Sequence, residues 1–249
     1  GTLNEVAAGI LERHDDAGRR WLAPLPGGGT NVFARTIGVP HRVEAATSAL
    51  LESIDHTSIE RIGVGSVNGR ISLFHCGIGW DAALVSVVER HAAWKRRVGH
   101  GLFVYAGLRT YFGGYDRRRP HFRVRFDDGV ELDDGYFAIV MNSDPYTFVG
   151  RRPFTIAPTT RLDGPLTVVV LRSMSVRHFL PLIVGALRDR RGLSERPWLT
   201  IRTGVEHVVV KRITTPYRAA LRHQVDGDLM DEVDEIEVRH LPGALDVVV

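Results

Sequence analysis

The chain has 249 residues, of which 44% are hydrophobic and 24% are charged. This composition is typical of globular proteins and excludes a disordered tail or a coiled coil, and the length suits one large or two modest domains. The longest nearly unbroken apolar stretch, Phe179 to Leu187, contains Pro181 and is much shorter than the about 20 residues that cross a bilayer. The single cysteine, Cys76, excludes an internal disulfide framework and a cysteine-based zinc site, and we expect it in the core.

Charge is distributed unevenly, although the net charge is only +3. The stretch from Trp94 to Arg125 contains nine basic residues and one acid, whereas residues 225–246 contain eight acids and one arginine. Aromatic residues are interleaved with this basic block: Trp94, Phe103, Tyr105, Tyr111, Phe112 and Tyr115. The pattern predicts contact with an anionic membrane surface, and the alternative is a core of aromatic residues beneath solvated arginines. Nucleic-acid binding is disfavoured, because the sequence has no zinc finger, RRM-type aromatic motif or basic zipper.

The first 60 residues alternate between helix and strand signals. Thr2 and Glu5 have capping-box spacing, which predicts a helix from residue 3 to about 13. Residues 21–26 read as a short buried strand that leads into a glycine turn, and a second helix begins at Val32. Apolar residues at helical spacing predict a third helix over 43–54. This order predicts an α/β domain.

After Ile62 the pattern changes to strands. Predicted strands cover 71–74, 122–126, 136–140, 166–171, 205–210 and 236–238. Turn signals at 67–69, 127–129 and 241–243 separate several of them, which predicts a mostly antiparallel sandwich. Helical spacing predicts two interruptions, a long helix over about 94–112 and a shorter helix over 176–187.

Two glycine-containing turns precede helix starts, at Gly1-Thr2 and at Gly28-Gly29-Thr30-Asn31. Backbone N–H groups at such positions, together with a helix N-terminus, can hold a phosphate. Two turns of this kind could bind one polyphosphate, and the alternative is a pair of tight turns with ordinary caps. The sequence lacks a Walker P-loop.

Other familiar catalytic patterns are missing from the sequence. The 11 histidines include no His-x-x-x-His pair, which argues against a metalloprotease. Ser143 and Ser173 lie outside any Gly-x-Ser-x-Gly elbow, so a serine hydrolase is disfavoured. The acidic tract around Asp226 and Asp228 predicts an elevated pKa for one of these two carboxyl groups, although Asp226-Gly227-Asp228 also reads as a simple hairpin turn.

Five segments, in order, resemble the motifs of the diacylglycerol kinase family, which also includes sphingosine and ceramide kinases. The segment Gly1–Val6 is similar to the end of Gly-Gly-Asp-Gly-Thr-x-x-Glu-Val, and Leu25–Arg35 is similar to Leu-Pro-x-Gly-Thr-x-Asn-Asp-Phe-Ala-Arg. Residues 77–82 resemble the turn Gly-x-Gly-Phe-Asp-Ala, and residues 157–164 and 225–228 resemble two further landmarks. The resemblance covers nearly the whole chain.

The resemblance implies a two-domain fold with its active site in the cleft. Residues 1–60, with 240–249 returning to them, would be part of an α/β nucleotide domain like those of NAD kinase and phosphofructokinase. Residues 61–239 would form the antiparallel β-sandwich. The implied activity is ATP-dependent phosphorylation of a lipid hydroxyl, with diacylglycerol as the first candidate and a sphingoid base, ceramide or phosphatidylglycerol left open. The rivals are an NAD-kinase-like enzyme with a soluble substrate and a non-catalytic lipid- or nucleotide-binding protein.

The resemblance also implies roles for individual residues. ATP would contact Gly1, Thr2, Leu3, Asn4, Glu5, Gly28, Gly29, Thr30 and Asn31. A Mg²⁺ ion would bind the Asp163 carboxylate and the backbone carbonyls of Thr160 and Pro165, because this cation prefers oxygen ligands. The general base would be Asp228, where the family usually has Glu. The implied setting is the cytoplasm at the inner face of the membrane, with a homodimer left open.

The sequence departs from the family pattern at three places. No Gly-Gly-Asp precedes Gly1, and Val32 stands where many members have Asp. Asp228 is shorter than Glu by one carbon–carbon bond, about 1.5 Å. We therefore expect that an N-terminal part of a longer protein is missing, and that the complete protein rather than this chain alone is active.

Overall fold

The computed structural model describes residues 1–12, 20–28, 30–90, 107, 109–188, 192–214 and 220–249. The N-terminal region contains helix α1 (Thr2–Glu12), strand β1 (Trp21–Leu22) and helices α2 (Val32–Thr36) and α3 (Val43–Asp55). The three helices follow the predicted bounds closely. The strand is shorter than the predicted 21–26, because it pairs over only two residues, with Asp246 and Val247.

The rest of the described chain is mostly strand. In chain order the strands are β2 (Ile59–Val67), β3 (Arg70–Ser72), β4 (His75–Gly79), β5 (Phe122–Phe126), β6 (Glu131–Gly135), β7 (Phe137–Met141), β8 (Thr147–Val149), β9 (Arg152–Phe154), β10 (Leu166–Leu171), β11 (Leu199–Val205), β12 (His207–Arg212), β13 (His223–Val225), β14 (Asp228–Leu229) and β15 (Glu235–Val248). Helix α4 (Trp80–Arg90), a π-helical turn (Thr110–Gly114) and helix α5 (Val176–Arg188) interrupt them. Most of the helix predicted over 94–112 lies outside the described residues.

Two antiparallel sheets form a sandwich. The first sheet has the order β3-β2-β15-β12-β5-β6, with β1 added in parallel beside β15, and the second has the order β11-β10-β7-β4-β13-β14. Side chains alternate along each strand. In β10, Val168 and Val170 therefore face the core between the sheets, whereas Val169 and Leu171 face the opposite side of the second sheet. Helices α4 and α5 contribute Trp80 and Phe179 to the apolar cluster on that outer face.

Strand β15 links the sandwich to the N-terminal region. Its first residues pair with β12, and its last residues pair with β2 and β1. A third apolar cluster forms where α1, β1 and α2 pack on β2 and β15, and it includes Ala7, Phe33 and Val247. Residues 240–249 therefore pack with the N-terminal region, while the boundary between two domains stays a prediction.

The turn predicted at 241–243 is wrong. These residues lie inside β15, where the pairing with β2 shifts register between Leu241 and Leu245. A β-bulge explains why Pro242 and Gly243 can lie within a strand, because Pro242 has no N–H to donate and Gly243 adopts a positive φ of 53°. Among the described residues, no helix is long and apolar enough to cross a bilayer.

Candidate active site

One cavity of about 1600 Å³ brings together both predicted glycine turns and the predicted base. Its lining includes residues 1–4, Gly28, Thr30, Asn31 and residues 226–228. Positions more than 220 residues apart in sequence therefore share one site. Gly29 lies outside the described residues. Glu5 does not line the cavity and instead forms an ion pair with Arg70.

The first turn places the N-terminus of α1 at the cavity. The helix begins at Thr2, and the Glu5 N–H donates to the Gly1 carbonyl at 3.2 Å. Asn4 is buried and its side-chain amide donates to the Ile71 carbonyl at 2.6 Å. This contact fixes α1 against β3. Free N–H groups in the first turn of a helix favour an anionic ligand.

The second turn is closed by Asn31. Its side-chain carbonyl accepts a hydrogen bond from the Gly28 N–H at 2.7 Å, and its φ of 47° is one that Asn tolerates better than most residues. Val32, Phe33 and Ala34 of α2 are buried, so this turn is anchored by packing. Val32 thus has a structural reason to be apolar.

Asp226 is the acceptor at the centre of the site. Its partly buried carboxylate accepts hydrogen bonds from the side chains of Asn4 and Ser72 and from the backbone N–H groups of Leu73, Phe74 and His75. Burial raises the pKa of Asp226, while the donors oppose that rise. The predicted elevated pKa is therefore confirmed for this acid, although its cause is burial rather than a neighbouring acid.

Asp228 lies at the other end of the same hairpin turn. Asp226 and Gly227 have positive φ values of 51° and 87°, which is the geometry of a two-residue turn between β13 and β14. The turn directs Asp228 to the cavity, where its side chain is 38% exposed. The Asp228 carboxylate contacts the nitrogen atom of Gly1 and lies 3.4 Å from a guanidinium nitrogen of Arg70. The hairpin reading and the functional reading of this segment are thus compatible.

A buried polar cluster that sequence reasoning missed borders the same cavity. Asp81 accepts hydrogen bonds from the Tyr146 hydroxyl and, at 2.6 Å, from the side-chain amide of Gln224. His75 packs against Tyr146 with ring centroids 4.5 Å apart, and burial lowers the pKa of His75 to about 3. Burial raises the pKa of Asp81. These residues are distant in sequence, and of them only Asp81 belongs to a segment that the sequence motifs identify, residues 77–82.

Strand β4 and helix α4 explain how Asp81 reaches this position. The segment 77–82, read from sequence as a turn, is the end of a strand that runs directly into a helix. A Cβ at Gly77 would lie 1.8 Å from a carboxylate oxygen of Asp81, so this position has room for glycine only. Gly79 has a φ of 85°, which permits the sharp change of direction.

The far end of the cavity is apolar. It lies between the outer face of the second sheet and helices α4 and α5. Its walls comprise Trp80, Leu84, Phe137, Ile139, Val169, Leu171, Phe179, Leu182, Ile183, Leu187, Leu193 and Leu199. The volume exceeds the about 300–1,000 Å³ of a typical small-molecule pocket, and such a lining suits a long hydrocarbon.

The predicted magnesium ligands lie elsewhere. Both carboxylate oxygens of Asp163 are engaged by Arg161, at 2.9 and 3.1 Å, and Thr160 donates its hydroxyl to Thr167. Neither they nor Pro165 line the cavity. Within the described ranges, no three His, Cys, Asp or Glu side chains are grouped to hold a metal ion. Because Arg161 occupies both oxygens of the Asp163 carboxylate, these residues offer no free carboxylate to Mg²⁺, and the assignment stays a prediction.

Comparisons with known proteins match part of the chain to a kinase family. Residues 1–67 match the family model described as the diacylglycerol kinase catalytic domain. A Staphylococcus epidermidis protein provisionally named a lipid kinase is 24% identical over 259 residues, covering all of this chain and 73% of the relative. The first 67 residues are thus similar to the catalytic domain of the diacylglycerol kinase family. A relative from Staphylococcus aureus, with the same kind of name, is 19% identical and is covered to 74% of its length.

Solved structures of the diacylglycerol kinase family share the fold. A Bacillus anthracis protein described as a diacylglycerol kinase has a TM-score of 0.64 and 17% identity, with 99% of this chain and 72% of the other covered. A second Bacillus anthracis structure, provisionally assigned as a diacylglycerol kinase, has a TM-score of 0.71 and 20% identity over the whole of this chain. The predicted fold class, an α/β region joined to an antiparallel sandwich, is confirmed.

Proposed function

We propose that this protein is an ATP-dependent lipid kinase whose acceptor is a lipid hydroxyl, with diacylglycerol as the first candidate substrate. One observation carries the proposal. A single cavity contains two turns of the kind that bind phosphate, an acidic side chain and, at its far end, a long apolar wall. A soluble substrate would not use the apolar end of the cavity. The match of residues 1–67 to a kinase family model supports the kinase activity, and the apolar lining supports a lipid substrate.

In the proposed reaction, the first turn of α1 and the turn at 28–31 bind the phosphates of ATP. The lipid hydroxyl oxygen attacks the γ-phosphorus, the bond to the bridging oxygen breaks, and ADP leaves. Asp228 accepts the hydroxyl proton, a role that contributes about 10²–10⁴-fold in comparable enzymes. Phosphoryl transfer otherwise needs positioning and positive charge, and Arg70 lies next to Asp228 to supply the charge.

The proposed partner is the surface of an anionic membrane. Phe112 is 64% exposed and Leu180 on α5 is 57% exposed, and both also line the cavity. Val176 and Val184 extend this apolar stripe along α5. Arg117 lies over the ring of Tyr111 at 4.5 Å, and Arg118 and Arg119 are exposed beside it. The basic residues at 95–97 lie outside the described range.

Each of the two interpretations of the basic block, membrane contact and an aromatic core, is supported by one of two neighbouring aromatic residues. Tyr111 is buried, whereas Phe112 points to solvent. A peripheral protein with this surface would meet the bilayer where the cavity opens, so a lipid could enter without crossing water. Inner-face cytoplasmic localisation is part of the same proposal.

The experiment uses full-length protein, because this chain spans about three quarters of the length of its relatives. Labelled ATP is offered with vesicles that contain diacylglycerol, sphingosine, ceramide or phosphatidylglycerol, and lipid products are separated. Phosphatidic acid as the main product is the expected result. If label enters another lipid, the substrate changes but the kinase stands. Label in none of them, with the protein folded, would leave a non-catalytic lipid-binding protein as the better account.

A further inference from the structure

A chain of hydrogen bonds runs from the cavity wall to the turn that bears Asp228. The Tyr146 hydroxyl donates to Asp81, the Gln224 amide donates to Asp81 at 2.6 Å, and the Gly227 N–H donates to the Gln224 carbonyl at 2.7 Å. Gln224 and Asp81 are 0% and 3% exposed. We call this chain of four residues the relay.

The direction of the hydrogen bonds in the relay is set by Gly227. Its backbone N–H can only donate, so the Gln224 side chain must turn its carbonyl towards Gly227 and its nitrogen towards Asp81. The reverse orientation would set oxygen against oxygen and N–H against N–H. Gly77 lies across from Gln224 in the sheet, and its missing side chain leaves the space in which the two side chains meet.

Gly227 lies between the two acids of the hairpin. On one side of Gly227, the Asp226 carboxylate accepts five hydrogen bonds. In addition, the Gly227 N–H itself donates to Gln224 of the relay. Because both bonds restrain the turn, they restrain the direction in which Asp228 leaves it. A displacement of about 1 Å at a reacting group can lower a rate about 10²-fold.

Burying a carboxylate is unfavourable, and apolar residues in its place are often neutral or stabilising. A buried Asp81 therefore has a weak justification from stability alone. All four relay residues also line the cavity, so the relay borders the space that a substrate would occupy.

We propose that Asp81 and Gln224 are positioning residues that hold the 226–228 turn so that Asp228 faces the acceptor hydroxyl. The proposal rests on the proposed function, in which Asp228 is the base. Neither residue touches the reacting atoms in this account, and each acts through Gly227.

Two single variants and their combination test it in full-length protein. Asp81→Asn leaves one acceptor oxygen for the two donors, Tyr146 and Gln224, and Gln224→Glu sets oxygen against oxygen. The combination of D81N with Q224E restores a donor and an acceptor in reversed order and keeps the Gly227 bond and the buried charge. We expect each single variant to lower kcat about 10²-fold, with KM for ATP within about threefold, and the double variant to recover most of kcat.

Three results would overturn the proposal: single variants that keep kcat within threefold of the parent, a double variant that recovers nothing although it is folded, or a loss confined to KM for the lipid. Where a single variant does not fold, Tyr146→Phe removes one hydroxyl at the far end and should lower kcat in the same direction by a smaller factor.

Hydrogen exchange at the Gly227 amide separates this proposal from the kinase assignment. Exchange should accelerate at least tenfold in either single variant and slow again in the double variant, whether or not any lipid is phosphorylated. Unchanged exchange would remove the relay itself, whereas changed exchange in a protein without kinase activity would remove only the proposed function.

Discussion

A guanidinium nitrogen of Arg70 lies 3.4 Å from the Asp228 carboxylate, although the two residues are 158 positions apart. The same nitrogen lies 2.8 Å from Glu5 on α1. Strand β3 thereby places a positive charge between the candidate base and the helix whose N-terminus faces the cavity.

The first prediction concerns Asp228→Asn. Without a carboxylate to accept the hydroxyl proton, kcat should fall about 10²–10⁴-fold. Thermal stability should change little, since the group is partly exposed and its ion pair is of the kind that contributes about 0–1 kcal/mol. Steady-state kinetics and a melting curve are the measurements. Asp231→Asn, an exposed acid of the same tract, is the control. Turnover within threefold of the parent would remove Asp228 as the base.

The second prediction concerns its neighbour. Asp226→Ala should lower the free energy of unfolding by at least about 3 kcal/mol, because five buried or half-buried donors lose their acceptor. Urea denaturation measures this loss, with Asp228→Asn as the matched variant from the same turn. Equal stability of the two variants would show that Asp226 does not anchor the turn.

Much of the fold could be predicted because its signals are local. The strands at 122–126 and 166–171 have the predicted bounds, since alternating or continuous apolar residues between turn residues leave few other options. Strand β6 could not be found in this way. Its sequence, Glu-Leu-Asp-Asp-Gly, has low strand propensity, and it forms because β5 offers it an edge.

The third prediction is a pH dependence of stability. Burial lowers the pKa of His75 to about 3, against 6.5 for its ordinary value. The folded protein therefore keeps His75 neutral while the unfolded chain takes up a proton, so stability is lost as the pH falls from about 6.5 towards 3. Between pH 7 and 5 this contributes about 2 kcal/mol.

His75→Phe tests that dependence and preserves the ring contacts with Phe74 and Tyr146. Urea denaturation at pH 7 and pH 5 should show a smaller loss of stability for the variant than for the parent. His41→Phe, at an exposed position, serves as the control. Equal losses in parent and H75F would contradict the prediction.

The fourth prediction addresses the membrane surface. Neutralising Arg117, Arg118 and Arg119 together should weaken binding to anionic vesicles about 100-fold, at about 1 kcal/mol for each charge. Co-sedimentation with anionic and with uncharged vesicles is the measurement, and uncharged vesicles should show no change. A triple variant at the exposed Arg42, Arg61 and Arg239 matches the charge removed. Equal weakening by both triple variants would indicate a non-specific effect of net charge.

The candidate site was predictable only in part. The glycine turns and Asp228 carry short motifs, and the structure places them at one cavity. The relay carries no such signal, because it joins Tyr146 in the loop between β7 and β8, Asp81 on α4 and Gln224 on β13. From sequence, a single Gln in a short strand or a single Tyr in a loop reads as a tolerated polar residue, and only the folded structure reveals its partner.

Strand β15 has a mechanical consequence for any such enzyme cycle. Its early residues pair with β12 and its final residues pair with both β1 and β2. A hinge motion that separated the N-terminal region from the sandwich would have to break the hydrogen bonds of β15. We therefore expect any opening of the cavity to come from movement of helices α4 and α5, which line it, while the paired sheets stay rigid.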